Sequence, residues 1–146
     1  MPEIPAVSAW PVDLIPAEEG GYIVNFPDMS NGWSQGEDRA EALVQAEDLL
    51  EEMVLGMMAY DEEVPLPSAP NGRPTVALPA LTAAKLEAYR AMRAAGLDKP
   101  ALAARLGWQP SQVARLFDGR HTSRLDHIEA ILHALGRRLV VSSEAC

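Results

Sequence analysis

The stretch from Lys99 to Phe117 leaves the chain little choice but to fold back on itself as two short helices. Counted from Lys99, an alanine (Ala103) stands fifth and a glycine (Gly107) ninth. Apolar residues fill the fourth, eighth, fifteenth and eighteenth places: Leu102, Leu106, Val113 and Leu116. Two helices that cross steeply leave room only for a small side chain at their closest approach, which suits Ala103. The turn between them needs a residue at ease in the left-handed region, which suits Gly107. The four apolar positions are then the packed faces. This is the pattern of a helix-turn-helix. It is much more restrictive than a lone short motif, although a helical hairpin that never meets DNA can imitate it.

The surrounding texture is helical from Leu81 onward. Thr82 is expected to cap a first helix ending near Ala95-Gly96. Asp98 should cap a second, with Pro100 in its first turn, where a missing N–H costs little. Gly107 ends that helix, and Pro110 starts a third that runs to about Asp118-Gly119. A fourth runs from about Arg124 to Leu135 and stops at Gly136. Arg137–Ser142 is too short and too branched for a good helix and reads as a strand or a tail.

If the third helix enters a major groove, the residues it does not use for packing face the bases: Gln109, Ser111, Gln112, Ala114 and Arg115. Gln112 can pair with adenine through its amide, and Arg115 can make a bidentate pair with guanine. Arg120, His121, Thr122, Ser123 and Arg124 follow and can hold phosphates. The plainer reading of Arg115 is a solvated side chain. Charge favours the first. The whole chain carries −9 at neutral pH, but residues 80–146 hold ten basic and six acidic residues and net +4. Residues 1–79 hold fifteen acidic and two basic residues and net −13. An acidic module is joined to a basic one, with Pro79-Ala80 as the join, so the domains expected are 1–79 and 80–146. A single module reads only a short site, so a dimer or higher homo-oligomer is expected on DNA. Leu139-Val140-Val141 is a candidate for pairing between subunits.

The first 79 residues have a different rhythm. Val7–Pro16 reads as a strand in which Pro11 implies an edge or a bulge. Ala17–Gly21 is a polar turn, Tyr22–Phe26 a second strand, Pro27–Gly32 a break and Trp33–Gly36 a third short strand. Asp38 to about Tyr60 is a long helix with an apolar stripe of Leu43, Ala46, Leu50, Met53, Val54 and Met57. Glu41, Asp48, Glu51 and Glu52 fall on its far side, interrupted by Val44 and Leu55, which are either scattered surface apolars or a contact with another molecule. Val64–Gly72 is proline-rich and cannot be helical. Thr75–Leu78 is a last strand returning to the sheet. The order β-β-β-α-β makes this half α+β and the second half all-α.

Several functions find no support. No apolar run reaches the roughly 18 residues a membrane span needs. The opening Met1–Trp10 lacks the basic and apolar regions of a secretion signal. The lone Cys146 forms no internal disulfide, and a reducing cytoplasm is the simplest setting. His121, His127 and His133 all lie in the basic half, at steps that do not share a helical face, so neither a catalytic triad nor a zinc site is expected. Neither a catalytic residue nor a cofactor is expected. Met53, Met57 and Met58 are most simply core.

Three segments in order carry a family resemblance. Gly20-Gly21-Tyr22-Ile23-Val24-Asn25-Phe26-Pro27-Asp28 resembles the GGY-x-V-x-FPD opening of HicB proteins. Ser34-Gln35-Gly36-Glu37-Asp38-Arg39-Ala40-Glu41-Ala42 resembles their TQG-D-x-x-EA segment, and Val64-Pro65-Leu66-Pro67-Ser68 their IP-x-PS ending. The helix-turn-helix is similar to that of HicB members with this DNA-binding type. Met29–Trp33 departs from the commoner Leu-Pro-Gly-type turn, and the N-terminal extension is unusual. The resemblance implies a partial ribonuclease-H-like fold without nuclease activity. It implies a partner, a HicA-type toxin, which is a small basic ribonuclease, and repression of the chain's own operon. A domain of net −13 suits a cationic RNA-cutting face. Candidate toxin contacts are Glu18, Glu19, Tyr22, Asp28, Trp33, Asp48 and Glu51. Trp33 is either an exposed anchor or a core residue. Two other readings remain: a transcription regulator that senses a small molecule, and, with less support, a metal nuclease using carboxylates such as Asp13, Asp28, Asp38 and Glu41.

Overall fold

The computed structural model describes residues 8–30, 32–119 and 123–145. The chain divides into two compact units, Met1–Met57 with Glu62–Pro79, and Met58–Asp61 with Ala80–Cys146. No helix among the described residues is long and apolar enough to cross a membrane.

The first unit opens with β1 (Ala9–Pro11), β2 (Asp13–Pro16), β3 (Tyr22–Asn25) and β4 (Trp33–Gly36), continues into α1 (Arg39–Ala59) and closes with β5 (Thr75–Ala77). The mixed α+β class is as the sequence implies. The expected first strand, however, is two strands. Pro11 has no N–H for a ladder, and the chain changes neighbours at Val12, whose N–H donates to the Pro74 carbonyl at 2.9 Å. β1 pairs antiparallel with the returning β5, with Trp10 opposite Val76. β2, β3 and β4 form an antiparallel meander. Val7, the first residue of the expected strand, lies outside the described residues.

Register fixes which side chains share a face, because strand residues alternate. Leu14, Val24 and Ser34 are aligned across the meander, and so are Ile15, Ile23 and Gln35. Val24 and Phe26 are fully buried, so their parity defines the inner face. Ile15, Ile23 and Trp33 share the opposite parity and face out.

α1 starts at Asp38, whose Oδ1 accepts the Glu41 N–H at 2.8 Å. Such a cap is worth about 1 kcal/mol. The buried row is Ala42, Ala46, Leu50, Val54 and Met58, at strict four-residue spacing. The expected stripe is therefore rotated by part of a turn: Leu43, Met53 and Met57 are half-buried flanks, and Ala42 joins Ala46, Leu50 and Val54 in the buried row. The cause is visible at Gly36, where an added Cβ would lie 2.3 Å from the Ala42 nitrogen. Strand and helix touch backbone to backbone there, and that contact sets which row of α1 points inward. Trp10 is fully buried, and its indole Nε1 donates to the Pro65 carbonyl at 3.0 Å, which ties the proline-rich segment to β1.

The second unit holds α2 (Ala80–Ala94), α3 (Lys99–Leu106), α4 (Pro110–Phe117) and α5 (Leu125–Ala134). α2 begins two residues before the expected cap, so Thr82 is a buried residue of its first turn rather than its N-cap. Asp98 does cap α3, accepting the Ala101 N–H at 2.9 Å, and Gly107 closes that helix at φ 73°. Leu102, Ala103, Val113, Leu116 and Phe117 are buried with Leu86, Ile128, Ile131 and Leu132, while Leu106 is half-buried. Tyr89 meets Phe117 edge-on, with centroids 5.6 Å apart. Gly136 ends α5 in the left-handed region at φ 74°. The Arg137 N–H reaches back to the Leu132 carbonyl at 2.8 Å.

Two glycine substitutions should move stability in opposite directions. Gly36→Ala drives a methyl into the backbone of α1 and should destabilise the chain by on the order of 1–3 kcal/mol. Gly56, inside α1, has nothing within 4 Å of an added Cβ. Gly56→Ala should therefore stabilise by about 0.5–1 kcal/mol. Denaturant titration of both variants, monitored by circular dichroism, checks the pair.

Candidate functional site

α4 owes its start to Gln109 and Gln112. Pro110 fixes φ at the first helical position. The Gln109 N–H donates to Gln112 Oε1 at 2.8 Å, so Gln112 reaches back and satisfies a backbone donor. The helix buries Val113, Leu116 and Phe117 and exposes Gln109, Ser111, Gln112, Ala114 and Arg115. The unpacked residues named from the sequence are thus on the free face. The Gln112 oxygen accepts the cap bond with one of its two lone pairs. Its amide NH2 and the second lone pair of that oxygen stay free for a base edge, with the side chain held in place by the cap.

A cleft of about 370 Å³ lies along this helix. It is lined by Trp108, Gln112, Arg115, Leu116, Ser123, Arg124 and His127. It brings together four of the residues expected to bind DNA: Gln112, Arg115, Ser123 and Arg124. Gln109 and Ser111 are exposed on the same helix outside the cleft lining. Arg120, His121 and Thr122 lie outside the described residues, as does Cys146. Trp108 and His127 were not anticipated. Their rings meet edge-on with centroids 5.3 Å apart. The available signal for Trp108 was an aromatic directly after the turn glycine of a basic module.

Arg124 is not a free cation. Its guanidinium grips Asp126 through two hydrogen bonds of 3.1 and 2.9 Å. Those bonds hold the Asp126 carboxyl below its ordinary range, helped by the charges of Arg124 and His127. The pair therefore persists through neutral and mildly acidic pH and opens only as the pH falls below that depressed value. Both side chains are largely exposed, so the pair restrains Arg124 more than it stabilises the fold. Ser123 donates from Oγ to the Leu116 carbonyl at 3.2 Å, fixing the approach to α5.

The residues named as contacts for a partner do not converge. Glu18 and Glu19 sit exposed in the β2–β3 hairpin loop. Tyr22 is half-buried, opposite Pro16 and Gly36 at inner-face parity. Asp28 accepts from the Ser68 N–H at 2.9 Å and from its Oγ at 3.0 Å, which gives it the work of pinning the proline-rich segment. Trp33 is 68% exposed on the outer face of the sheet, so it is no core tryptophan; Trp10 has that role. Asp48 is exposed on α1, and Glu51 is half-buried with an interaction of its own. α1 buries its inward row against the inner face, so Trp33 and Asp48 point away from opposite layers of the unit. Sequence reading missed Ile15 and Ile23, which are cross-strand partners 48% and 36% exposed beside Trp33. Consecutive apolar residues in both strands (Leu14-Ile15 and Ile23-Val24) were the signal for a sheet apolar on two faces.

Three of the four carboxylates considered for metal chemistry hold structural partners instead. Asp13 lies 3.6 Å from Arg73, Asp28 holds Ser68 and Asp38 caps α1. No group of three or more potential metal ligands forms among the described residues.

Residues 9–87 match a family model described as a HicB-like antitoxin of bacterial toxin-antitoxin systems, and residues 71–140 match a helix-turn-helix domain. Antitoxin HicB 1 of Photorhabdus laumondii is 37% identical over 135 residues, covering 92% of this chain and 86% of that protein. Antitoxin HicB of Escherichia coli is 34% identical over 131 residues, covering 89% and 95%. Antitoxin HicB of Pseudomonas fluorescens is 34% identical over 132 residues, covering 88% and 89%.

Two substitutions separate the parts of the cleft. Gln112→Glu keeps an acceptor for the Gln109 N–H, so stability should change by less than about 0.5 kcal/mol. The carboxylate faces any incoming phosphate, and affinity for duplex DNA should fall by roughly tenfold or more. Asp126→Asn releases Arg124 and should tighten DNA binding, steepening the log affinity against log salt slope by about one. Fluorescence anisotropy on labelled duplex at several salt concentrations measures both.

Proposed function

The chain belongs to the HicB-like family of antitoxins of bacterial toxin–antitoxin systems, and from that premise we propose a division of labour between its two units. The first neutralises a small cationic ribonuclease toxin of HicA type by covering its RNA-cutting surface. The second represses the operon that encodes the pair, through α4 and the cleft beside it. One observation carries the reading: the chain segregates a segment of net −13 from a segment of net +4. An enzyme that cuts RNA must attract phosphates, so its active face is cationic. An acidic surface is steered to it at high rate and blocks it without any chemistry.

Within the first unit the sheet face fits this task better than the helix face. Ile15, Ile23 and Trp33 form an outward apolar patch, and buried aromatics dominate interface energy. Glu18 and Glu19 extend from the hairpin joining β2 to β3 and supply charge beside it. The helix surface around Asp48 offers the exposed Val44 but no aromatic anchor. In the second unit Arg115 is the base-reading residue of choice, because its fork is unengaged by any hydrogen bond or ion pair among the described residues. Arg124, once released from Asp126, serves a phosphate. The setting proposed is the bacterial cytoplasm, where both operator and toxin are met.

Co-expression with the product of the adjacent gene tests the two halves separately. Trp33→Ala should weaken toxin binding by roughly thirtyfold, the scale of an interface hot spot, and leave operator affinity unchanged. Arg115→Ala should cost about 1–3 kcal/mol in operator binding and relax preference at one base pair, with neutralisation intact. Full neutralisation by Trp33→Ala would remove the sheet face from the interface. Failure of the intact chain to bind the adjacent product, with specific metabolite binding instead, would select a ligand-sensing regulator.

A further inference from the structure

The proline-rich segment turns toward β5 at Pro70–Arg73. The two central residues both have positive φ, 52° at Asn71 and 84° at Gly72, and the Arg73 N–H donates to the Pro70 carbonyl at 3.1 Å. This is the type I′ geometry that Asn-Gly adopts most readily. The Arg73 guanidinium clamps the flank of the turn. Its Nε donates to the Pro70 carbonyl at 3.0 Å and its Nη2 to the Ala69 carbonyl at 3.4 Å, while Nη1 lies 3.6 Å from Asp13. The centre of the turn is left open. Asn71 and Gly72 are exposed, and nothing lies within 4 Å of a Cβ added at Gly72. Neither the Asn71 side-chain amide nor the Gly72 N–H is engaged in a hydrogen bond among the described residues.

We propose that Asn71 is a site of spontaneous covalent modification, converting to aspartate and isoaspartate through a cyclic imide closed by Gly72. The Gly72 amide nitrogen gives up its proton to hydroxide and attacks Asn71 Cγ. A C–N bond forms, the side-chain nitrogen takes a proton from water and leaves as ammonia, and a five-membered ring remains. Water then opens the ring. Breaking the bond from Cγ to the Gly72 nitrogen gives aspartate; breaking the bond from the Asn71 backbone carbonyl carbon gives isoaspartate. Water is the only co-reactant, and no electrons are transferred. Glycine favours the attack because it has no Cβ to crowd its nitrogen. The chain has two other asparagines. Asn25 lies in β3 and precedes the buried Phe26. Asn31 lies outside the described residues, and the glycine after it, Gly32, is pressed against the Met53 side chain. The isoaspartyl product routes the main chain through Cγ and lengthens the turn by one carbon. Two residues on, the Pro74 carbonyl accepts the Val12 N–H at 2.9 Å, and Thr75 begins the pairing of β5 with β1. The change therefore falls on the strand pair that holds Trp10, while either product adds one negative charge to the acidic unit. The reaction needs neither toxin nor DNA, so it stands or falls apart from the functional reading above.

Ageing the full chain at physiological temperature in neutral to alkaline buffer, followed by digestion with a glutamate-specific protease, tests this. The fragment Val64–Glu87 contains Asn71 as its only side-chain amide. A gain of about one mass unit in that fragment therefore reports this residue alone. The product should include isoaspartate, counted by labelling with an isoaspartyl methyltransferase, and its rate should rise in proportion to hydroxide. Gly72→Ala should slow conversion by about tenfold, because the methyl crowds the attacking nitrogen. Arg73→Lys keeps the charge but loses the planar fork that spans two carbonyls, and should speed conversion by about threefold. Circular dichroism confirms that each variant is folded. A fragment that keeps its mass in the folded chain while the urea-unfolded chain converts overturns the proposal. So does conversion of the Asn31 fragment ahead of it. Indifference to Gly72→Ala overturns the cyclic route, and indifference to Arg73→Lys overturns the part given to the clamp.

Discussion

The first unit is organised around a point where two backbones come too close for an ordinary side chain, and the second around a tight turn between two short helices. In the first, Gly36 of β4 lies against the amide of Ala42, and Gly21 lies against the Gly36 carbonyl in turn, where an added Cβ would sit 2.5 Å away. In the second, the fully buried Ala103 and the left-handed Gly107 let α3 turn directly into α4. The first constraint determines more than a local fit. Once β4 is pressed to the start of α1, the row Ala42–Ala46–Leu50–Val54 must face the sheet. Val24 and Phe26 must meet it, and Ile15, Ile23 and Trp33 are left on the side that α1 does not cover.

The same economy applies to polar groups. Most of the side chains that look chemically available are engaged in holding loops and helix ends. Asp38 starts α1, Asp98 starts α3 and Gln112 starts α4. Asp28 fastens the proline-rich segment through Ser68, and Trp10 fastens it through Pro65. The surfaces proposed for recognition are narrower than composition suggests: an apolar sheet patch in the acidic unit, and Arg115 with a restrained Arg124 in the basic one. A charge census identifies which half should meet which polyelectrolyte. It does not identify which of many acids touches anything.

Legibility followed the same division. The helix-turn-helix could be read residue by residue because its requirements are local: a small residue, a left-handed residue and four packing positions within nineteen residues. The caps at Asp98 and the stop at Gly136 were legible for the same reason. Thr82 misled because a cap-competent residue can also be buried inside a helix. The break at Val12 was hinted at by Pro11, but its consequence, a change of partner from β5 to β3, depends on residues more than sixty positions away in the chain. The rotation of the α1 stripe came from Gly36, a contact no periodicity can report. The partner-facing residues were the least legible. Glu18 and Asp48 satisfied one charge criterion and Trp33 an aromatic one, and only the strand register puts Trp33 on the face opposite Val24 and Phe26.

The tryptophans fall in three separate environments. Trp10 is sealed in the first core, Trp33 stands in solvent on the sheet, and Trp108 leans edge-on against His127 just before α4. The chain therefore carries its own set of spectroscopic reporters, with no label needed. Emission from the exposed Trp33 would shift to the blue if a partner excluded water from that face of the sheet. Trp108 lines the cleft beside α4, so it would report a duplex entering there. Trp10 stays constant until the first core melts. Single-tryptophan versions would let the same molecule report capture of a protein, capture of a nucleic acid and loss of structure as three distinguishable signals.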